Sequence, residues 1–384
     1  TVELATTVEL ATTVELADGE ALAPVPREVR IRHQLQLGKI CFVPASAMTL
    51  GALPRGLGAA PRPGPGAADP PGAAAGAGGA FTFGELFAGV GGFRLGLEAV
   101  GGRCLFASEV DRFARGTYEA NFGAEGVLGD VTRIDGGHLP TVDIIAAGFP
   151  CQSFSGAGTR GGLEDPRGSL FFHVVRLLIA KRPKAFLLEN VRGLLTIDQG
   201  EAFQRVLEEL TGAGYTVHHK VIDAALLLPQ TRHRVYIVGF LAELGISEFL
   251  WPAIPELGRV AGEILEEQVD PELVLTEEQW AKVQASPYFH QHPEARVLDP
   301  SQPAQTLQAS YRAYQLYSQF VPGGPRPRFF SPRECCRLMG FSEWFRIPSG
   351  GGARNRFYKQ VGNAVCPPVV AYVGAAMVAA LATA

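Results

Sequence analysis

From Phe81 onward the sequence alternates short apolar runs with amphipathic stretches, and this limits its fold more than any other feature. Phe81–Phe87 reads as a buried strand, followed by the glycine loop Ala88-Gly89-Val90-Gly91-Gly92 and a helix with Phe93 and Leu97 on one face. Arg103–Ser108 reads as a strand and the next stretch as a helix containing Phe113 and Tyr118. Val142–Ala147 is a strand, 168–181 a helix through Leu170, Val174, Val175 and Leu178, and Lys184–Leu188 a strand. A helix at 201–210 and a strand at Val235–Phe240 continue the series. Such alternation predicts an α/β fold, a doubly wound and mostly parallel sheet of the Rossmann-like kind. Ser331-Pro332-Arg333-Glu334 has the form of a capping box with proline at the first helical position, and Pro367-Pro368 opens a final Ala/Val-rich helix.

Nothing of this kind precedes Phe81. The first 18 residues are a six-residue repeat, and 51–80 are almost entirely Ala, Gly and Pro. Neither stretch can bury a core, so 1–80 is expected to be a disordered, low-complexity segment and linker. The chain starts at Thr1, and the glutamates of the repeat weigh against a transit peptide, so localisation is not read from this end. The remainder divides into a nucleotide-binding part at 81–240, a second, smaller part at 241–330 and a C-terminal segment, 331–384, that returns to the first.

Composition narrows the class. An apolar share of 47% suffices for a globular core, and no apolar run is expected to reach the length of a membrane span. The cysteines at 41, 104, 151, 335, 336 and 366 form no C-x-x-C pair, which argues against structural zinc and a disulfide framework and for a reducing, intracellular setting. His290 and His292 lack a nearby Cys or carboxylate partner and read as surface residues, so no metal is expected. The net charge of −4 is uninformative, but its distribution is not. Residues 241–290 carry ten acids and two bases, whereas 291–360 carry ten bases, nine of them arginine, and four acids. The second stretch is either a solvated surface or one face built for a polyanion.

The chemistry-bearing stretch is Gly148-Phe149-Pro150-Cys151-Gln152-Ser153-Phe154-Ser155, at the end of an apolar run. Substrates bind at the carboxyl end of a strand in an open α/β sheet, and Pro150 stiffens the loop that presents the thiol. A lone cysteine there is either a nucleophile or a buried structural residue. The glycine loop after Leu86 lets backbone approach a ligand at a helix N-terminus, but its Gly-Val-Gly-Gly spacing is not that of a pyrophosphate binder. Glu109, about 20 residues on, lies where a ribose hydroxyl is held, so the loop fits an adenosine-type cofactor without a diphosphate.

Taken in order, these segments resemble the C5-cytosine-specific DNA methyltransferase family from Phe81 to about Val370. The resemblance is carried by Glu85-Leu86-Phe87-Ala88-Gly89-Val90-Gly91-Gly92-Phe93, the acids Glu109 and Asp111, Gly129-Asp130-Val131-Thr132, and Gly148-Phe149-Pro150-Cys151-Gln152. It continues through Arg167-Gly168-Ser169-Leu170-Phe171-Phe172, Glu189-Asn190-Val191-Arg192-Gly193 and Gln230-Thr231-Arg232-His233-Arg234. It ends with Ser331 to Glu334, Met339-Gly340-Phe341, and Gln360-Val361-Gly362-Asn363-Ala364-Val365.

The resemblance implies an S-adenosyl-L-methionine-dependent fold with a target-recognition domain at 241–330. Phe87, Gly89 and Gly91 would line the cofactor site, Glu109 would bind the ribose, Asp130 the adenine amino group, and Leu170 would pack nearby. Asn363, Ala364 and Val365 would close the pocket. The family often carries Trp after the ribose acid; here it is Val110, so adenine stacking is weaker or comes from elsewhere. Cys151 would add to cytosine C6, Glu189 would serve as the acid at N3, Arg234 would meet O2, and Arg232 would meet neighbouring polar groups. A stacked base is out of reach of this chemistry, so the cytosine is expected to be flipped out of double-stranded DNA, with Gln152 and Ser155 beside its backbone.

Base readout is placed at about 291–330, where Gln305-Thr306-Leu307 resembles the recognition domain's Thr-Leu pair, with Arg326 and Arg328 on phosphates. A monomer acting on DNA is expected, with no membrane and no metal, wherever the DNA lies: nucleus in a eukaryote, cytoplasm or nucleoid in a bacterium. Two alternatives stay open: a tRNA cytosine-C5 methyltransferase of the same fold, and a catalytically silent DNA-binding relative. The first typically carries a Cys-Phe-Thr tripeptide absent here, and the second loses the cysteine or the glutamate.

Overall fold

Strands buried on both faces send alternate side chains to opposite layers, and that rule organises the protein. The computed structural model describes residues 80–150, 169–313, 318–349 and 352–384. In chain order its elements are β1 (Phe81–Leu86), α1 (Gly92–Glu98), β2 (Gly102–Ser108), α2 (Arg112–Phe122), β3 (Val127–Leu128), β4 (Ile144–Ala147), α3 (Ser169–Lys181) and β5 (Ala185–Val191). They continue with α4 (Glu201–Gly212), β6 (Tyr215–Asp223), β7 (His233–Leu241), α5 (Glu277–Gln284), α6 (Pro287–Gln291), α7 (Pro332–Met339), α8 (Ala353–Asn363) and α9 (Pro367–Ala382). One seven-stranded sheet has the order β3-β2-β1-β4-β5-β7-β6. The first five strands are parallel, while β7 runs antiparallel to both β5 and β6.

Phe83, Ile144, Ala146, Leu187, Tyr236 and Val238 face a layer that holds α1 and α9. Their neighbours Leu86, Ile145, Ala147, Leu188, Val235 and Ile237 face α3 and α4. Each such fully buried aliphatic or aromatic side chain is worth roughly 1.5–3 kcal/mol. The sheet is thus the middle of three layers, as the alternation predicts. What the sequence left unread are the two edge strands: β3 is only two residues long, and in β6 His218, His219 and Lys220 interrupt the apolar pattern, because an edge strand tolerates polar, half-exposed positions.

Two helices, α1 and α9, meet each other through glycines. A Cβ on Gly96 of α1 would lie 2.5 Å from Val370, and one on Gly374 of α9 would lie 2.8 Å from Leu97. Close approach therefore needs both residues bare. The apolar stretch of α9, with α8 before it, is long and apolar enough to cross a membrane, against the sequence expectation that none is. Most of that window is buried inside the protein, packed on α1 and the sheet, which is how a core helix satisfies the same composition.

Residues 242–331 contain only short helices and isolated bridges among their described positions, yet Phe249, Leu273, Leu275, Phe320 and Phe329 belong to the same apolar cluster as Phe83. With no sheet to satisfy the backbone there, side chains take over that task. Arg296 donates to the Ser318 carbonyl, Arg326 to Leu275, Arg337 to Ile264, and Arg333 to Ser342 and Phe345. The acidic and arginine-rich stretches also pair with each other, as Arg354 does with Asp270 at 2.6 Å. Part of the arginine content is therefore internal glue, while Arg346, Arg354, Arg356 and Lys359 are exposed.

Candidate active site

The strand order reverses between β1 and β4, and ligands of open α/β sheets bind outside the carboxyl ends of strands at such a point. Two loops leave the sheet there: the glycine loop after β1 and the Pro150 loop after β4. The backbone of the first turns left-handed at Phe87 (φ 53°), Gly89 (φ 56°) and Gly91 (φ 89°). Gly91 is bare for a second reason, since a Cβ would meet the Phe122 ring at 2.2 Å. A Cβ on Gly89 would meet only the Phe87 carbonyl, at 4.0 Å, so this residue borders open space.

Glu109 follows β2 and orients that loop. Its Oε2 accepts the Gly89 N–H at 2.7 Å and its Oε1 the Asp111 N–H at 2.8 Å. Burial raises its pKa, and the two N–H donors pull partly the other way. Next to it Val110 is 68% exposed, so a ligand could cover it. Asp130 follows β3 and accepts the Thr132 N–H at 2.9 Å, which holds its carboxyl below the usual range. Leu170 packs half-buried against the α3 side of the core. Asn363 closes α8 on the surface, while Val365 is buried with its carbonyl against Gly92, where a Cβ would lie only 2.6 Å away.

Glu189 lies near the end of the buried part of β5, which closes with Asn190 before exposed Val191. Its Oε1 lies 3.1 Å from Arg234 Nε, and both side chains are nearly enclosed. Burial raises the Glu189 pKa, opposed by the Arg234 and Arg232 cations. Gly148, at the root of the Pro150 loop, places its α-carbon beside Glu189 Oε2, with 3.8 Å between that oxygen and a built Cβ. The next residue on β5, Asn190, donates its side-chain amide to the Phe149 carbonyl at 2.9 Å. Asn190 was not singled out from the sequence, where its type carries no signal apart from the motif it sits in. Cys151, Gln152 and Ser155 lie outside the described residues.

The chain belongs to the C-5 cytosine-specific DNA methylase family. That family matches residues 81–379. The chain is 40% identical over 310 residues to the type II methyltransferase M.NlaX of Neisseria lactamica, covering 77% of this chain and 96% of that one. It is 40% identical over 302 residues to the type II methyltransferase M.BsuFI of Bacillus subtilis, covering 77% and 72%. Among solved structures, the S. pombe Dnmt2 methyltransferase superposes with a TM-score of 0.61 at 18% identity, over 79% of this chain and 99% of that one. A likeness at that identity speaks for the fold alone.

Elsewhere in the methylase, the remaining predicted site residues divide. Arg232 is buried and donates to the carbonyls of Leu307 (3.0 Å), Gly362 (3.0 Å) and Ala364 (2.9 Å). Burial lowers its pKa, with the neighbouring Arg234 adding to the effect. The Thr306 hydroxyl donates to the Thr231 carbonyl at 2.6 Å, so its proton is spent inside the protein. Arg326 is half-buried with its Nε on Leu275. Arg328 corrects the expectation outright: it is buried and grips both oxygens of the fully buried Glu334, at 2.7 and 2.8 Å, and so cannot reach a phosphate. Buried charges are paired charges, and a sequence does not reveal which arginine is spent that way. His290 and His292 are exposed, and among the described residues no three His, Cys, Asp or Glu side chains converge as a metal site would require.

Proposed function

We propose that this methylase transfers a methyl group to C5 of a cytosine flipped out of double-stranded DNA, with S-adenosyl-L-methionine as donor. One observation carries the reading: the buried Glu189–Arg234 ion pair stands against the root of the loop that bears Cys151, at the sheet's switch point. The residues present suit the cofactor. The open space at Gly89, the carboxylate of Glu109 held by two N–H donors, and exposed Val110 suit an adenosine with no diphosphate. Phe87, Gly89, Gly91, Glu109, Asp130, Leu170, Asn363 and Val365 would hold it, and when bound it supplies an electrophilic methyl carbon.

The chain's own part is to make cytosine a nucleophile. The Cys151 thiolate adds to C6, and the electron pair of the C5–C6 bond moves through the ring toward N3. Glu189 delivers a proton to N3, relieving that charge, and its raised pKa keeps the carboxyl protonated closer to neutral pH. Arg234, fixed by Glu189, offers its remaining N–H groups to O2. Once C5 carries the methyl group, a solvent base takes the C5 proton, the C5–H electron pair re-forms the C5–C6 double bond as the C6–S bond to Cys151 breaks, and N3 returns its proton to Glu189, which restores the aromatic ring. Residues 241–330 serve as the recognition region, carrying Thr306 and Arg326 toward DNA, and Gln152 and Ser155 flank the extruded nucleotide. The enzyme works inside the cell, where the DNA is.

The test is incubation with a 5-fluorocytosine duplex and S-adenosyl-L-methionine. The fluorine cannot leave as a proton does, so the wild type is expected to stay covalently bound and Cys151→Ser to remain free. An adduct in the Cys151→Ser variant would assign the nucleophile to another residue. Bisulfite sequencing of DNA from an expressing host then reads the target.

A further inference from the structure

The segment leading into β7 holds two other parts of the protein at once. Gln230 is fully buried; its Oε1 accepts the Leu307 N–H at 2.8 Å and its Nε2 donates to the Leu338 carbonyl at 2.8 Å. Two residues on, Arg232 donates to the Leu307 carbonyl. The N–H and C=O of Leu307 are thus both gripped by side chains from the same extended segment, and Thr231 takes the hydroxyl of Thr306 between them. The guanidinium that holds Leu307 also holds Gly362 and Ala364, on either side of Asn363. The two held segments touch directly: a Cβ on Gly362 would lie 2.6 Å from the Gln308 carbonyl.

The Arg232 guanidinium is a buried cation whose hydrogen bonds, among the described residues, go to three backbone carbonyls and to no carboxylate, while the backbone N–H of the same residue donates to Asp223 Oδ1 at 2.8 Å. Its charge is tolerable only while those three dipoles converge on it. Its Nε has no partner among the described residues, so nothing further fixes the head group if one carbonyl withdraws. The position of the 306–307 segment and that of the 362–364 turn are therefore conditions for one another.

We propose that Arg232, aided by Gln230, links the cofactor pocket to the DNA-reading segment, so that ligand binding at either tightens binding at the other. This rests on the reading given above, in which Asn363–Val365 wall the cofactor site and Thr306 faces DNA. A ligand that orders one segment fixes its carbonyls on the guanidinium, and the second ligand then meets a segment already ordered. Linkage makes the effect reciprocal: whatever factor DNA adds to cofactor affinity, the cofactor adds to DNA affinity. Arg232 is on this account a positioning residue that touches neither ligand.

The experiment measures dissociation constants for S-adenosylhomocysteine, which cannot react, and for sheared unmethylated plasmid DNA, each alone and in the presence of the other. The wild type is expected to show a coupling of about fivefold or more in both directions. Arg232→Lys keeps the charge but loses the fork, and is expected to bring the coupling close to one while each ligand alone still binds within a few fold of wild type. Hydrogen exchange on the wild type supplies a measurement that does not depend on the variant's folding: S-adenosylhomocysteine alone should slow exchange across 304–309. Equal coupling in both proteins, or no protection of 304–309, overturns the linkage while leaving the functional reading intact. Failure of the wild type to bind S-adenosylhomocysteine at all overturns the functional reading and the linkage with it.

Discussion

The amide of Asn190 donates to the backbone carbonyl of Phe149 across 2.9 Å, tying the strand that carries Glu189 to the loop that carries Cys151. The same side chain accepts the Val191 N–H at 2.8 Å, so both of its ends are used. A nucleophile and an acid that must act on one ring need a fixed separation, and a displacement near 1 Å costs on the order of a hundredfold. Asn190→Asp keeps the acceptor and the volume but removes the donor. It is expected to lower kcat by about tenfold to a hundredfold while leaving the affinity for S-adenosylhomocysteine unchanged. Single-turnover kinetics with saturating DNA checks this, and an unaltered rate would show that the loop is positioned by other contacts.

Glu189 must be protonated to serve N3, so the rate should fall as pH rises through its folded-state pKa. Burial raises that pKa and Arg234 opposes the rise. Replacing Arg234 with methionine removes the opposing cation, which shifts the alkaline limb of the kcat profile to higher pH even as kcat itself drops. Glu189→Gln abolishes the limb together with nearly all activity. A limb that stays put in Arg234→Met assigns it to another group.

Arg328 and Glu334 are buried together, and removing one partner of such a pair strands the other charge. Glu334→Gln is expected to cost on the order of 3–5 kcal/mol in urea unfolding, and Arg328→Met with Glu334→Leu together clearly less than the sum of the single changes. DNA binding should separate the two arginines. Arg328→Met leaves the slope of log affinity against log salt unchanged, whereas Arg326→Met reduces it.

How far these arrangements can be read from sequence depends on what fixes them. The layered sheet was legible because apolar runs such as Ile144–Ala147 are buried on both faces and leave no other option. The glycine loop and Glu109 were legible because positive φ and a carboxylate one strand away are local demands. The arginines were not. Arg328 and Arg326 stand two residues apart with the same charge, yet one is buried against Glu334 and the other half-exposed, a difference set by a partner six residues away in α7. Gln230 was missed likewise, since its partners Leu307 and Leu338 lie 77 and 108 residues distant.

Glu85 shows the same limit and yields a stability prediction. It lies in β1 directly before the glycine loop, fully buried; its Oε2 accepts the Tyr118 hydroxyl at 3.1 Å, and its Oε1 has no partner among the described residues. Arg94, Glu98 and Cys104 stand nearby. Burial pushes the Glu85 carboxyl up from about 4.5 to about 8, although Arg94 and Tyr118 pull it down. Between those values the unfolded chain has lost the proton and the native chain has kept it. The contribution of Glu85 to stability is therefore complete below about pH 4.5 and is lost progressively as pH rises to about 8. A tenfold difference in proton affinity between the two states is worth about 1.4 kcal/mol, so the loss is on the order of a few kcal/mol. Glu85→Gln cannot ionise and still offers an oxygen to Tyr118. Its unfolding free energy, from urea titrations across this range, should fall less steeply with pH than that of the wild type. Parallel curves for the two proteins would mean that Glu85 ionises at its ordinary pH, and that the enclosed site solvates the charge better than its surroundings indicate.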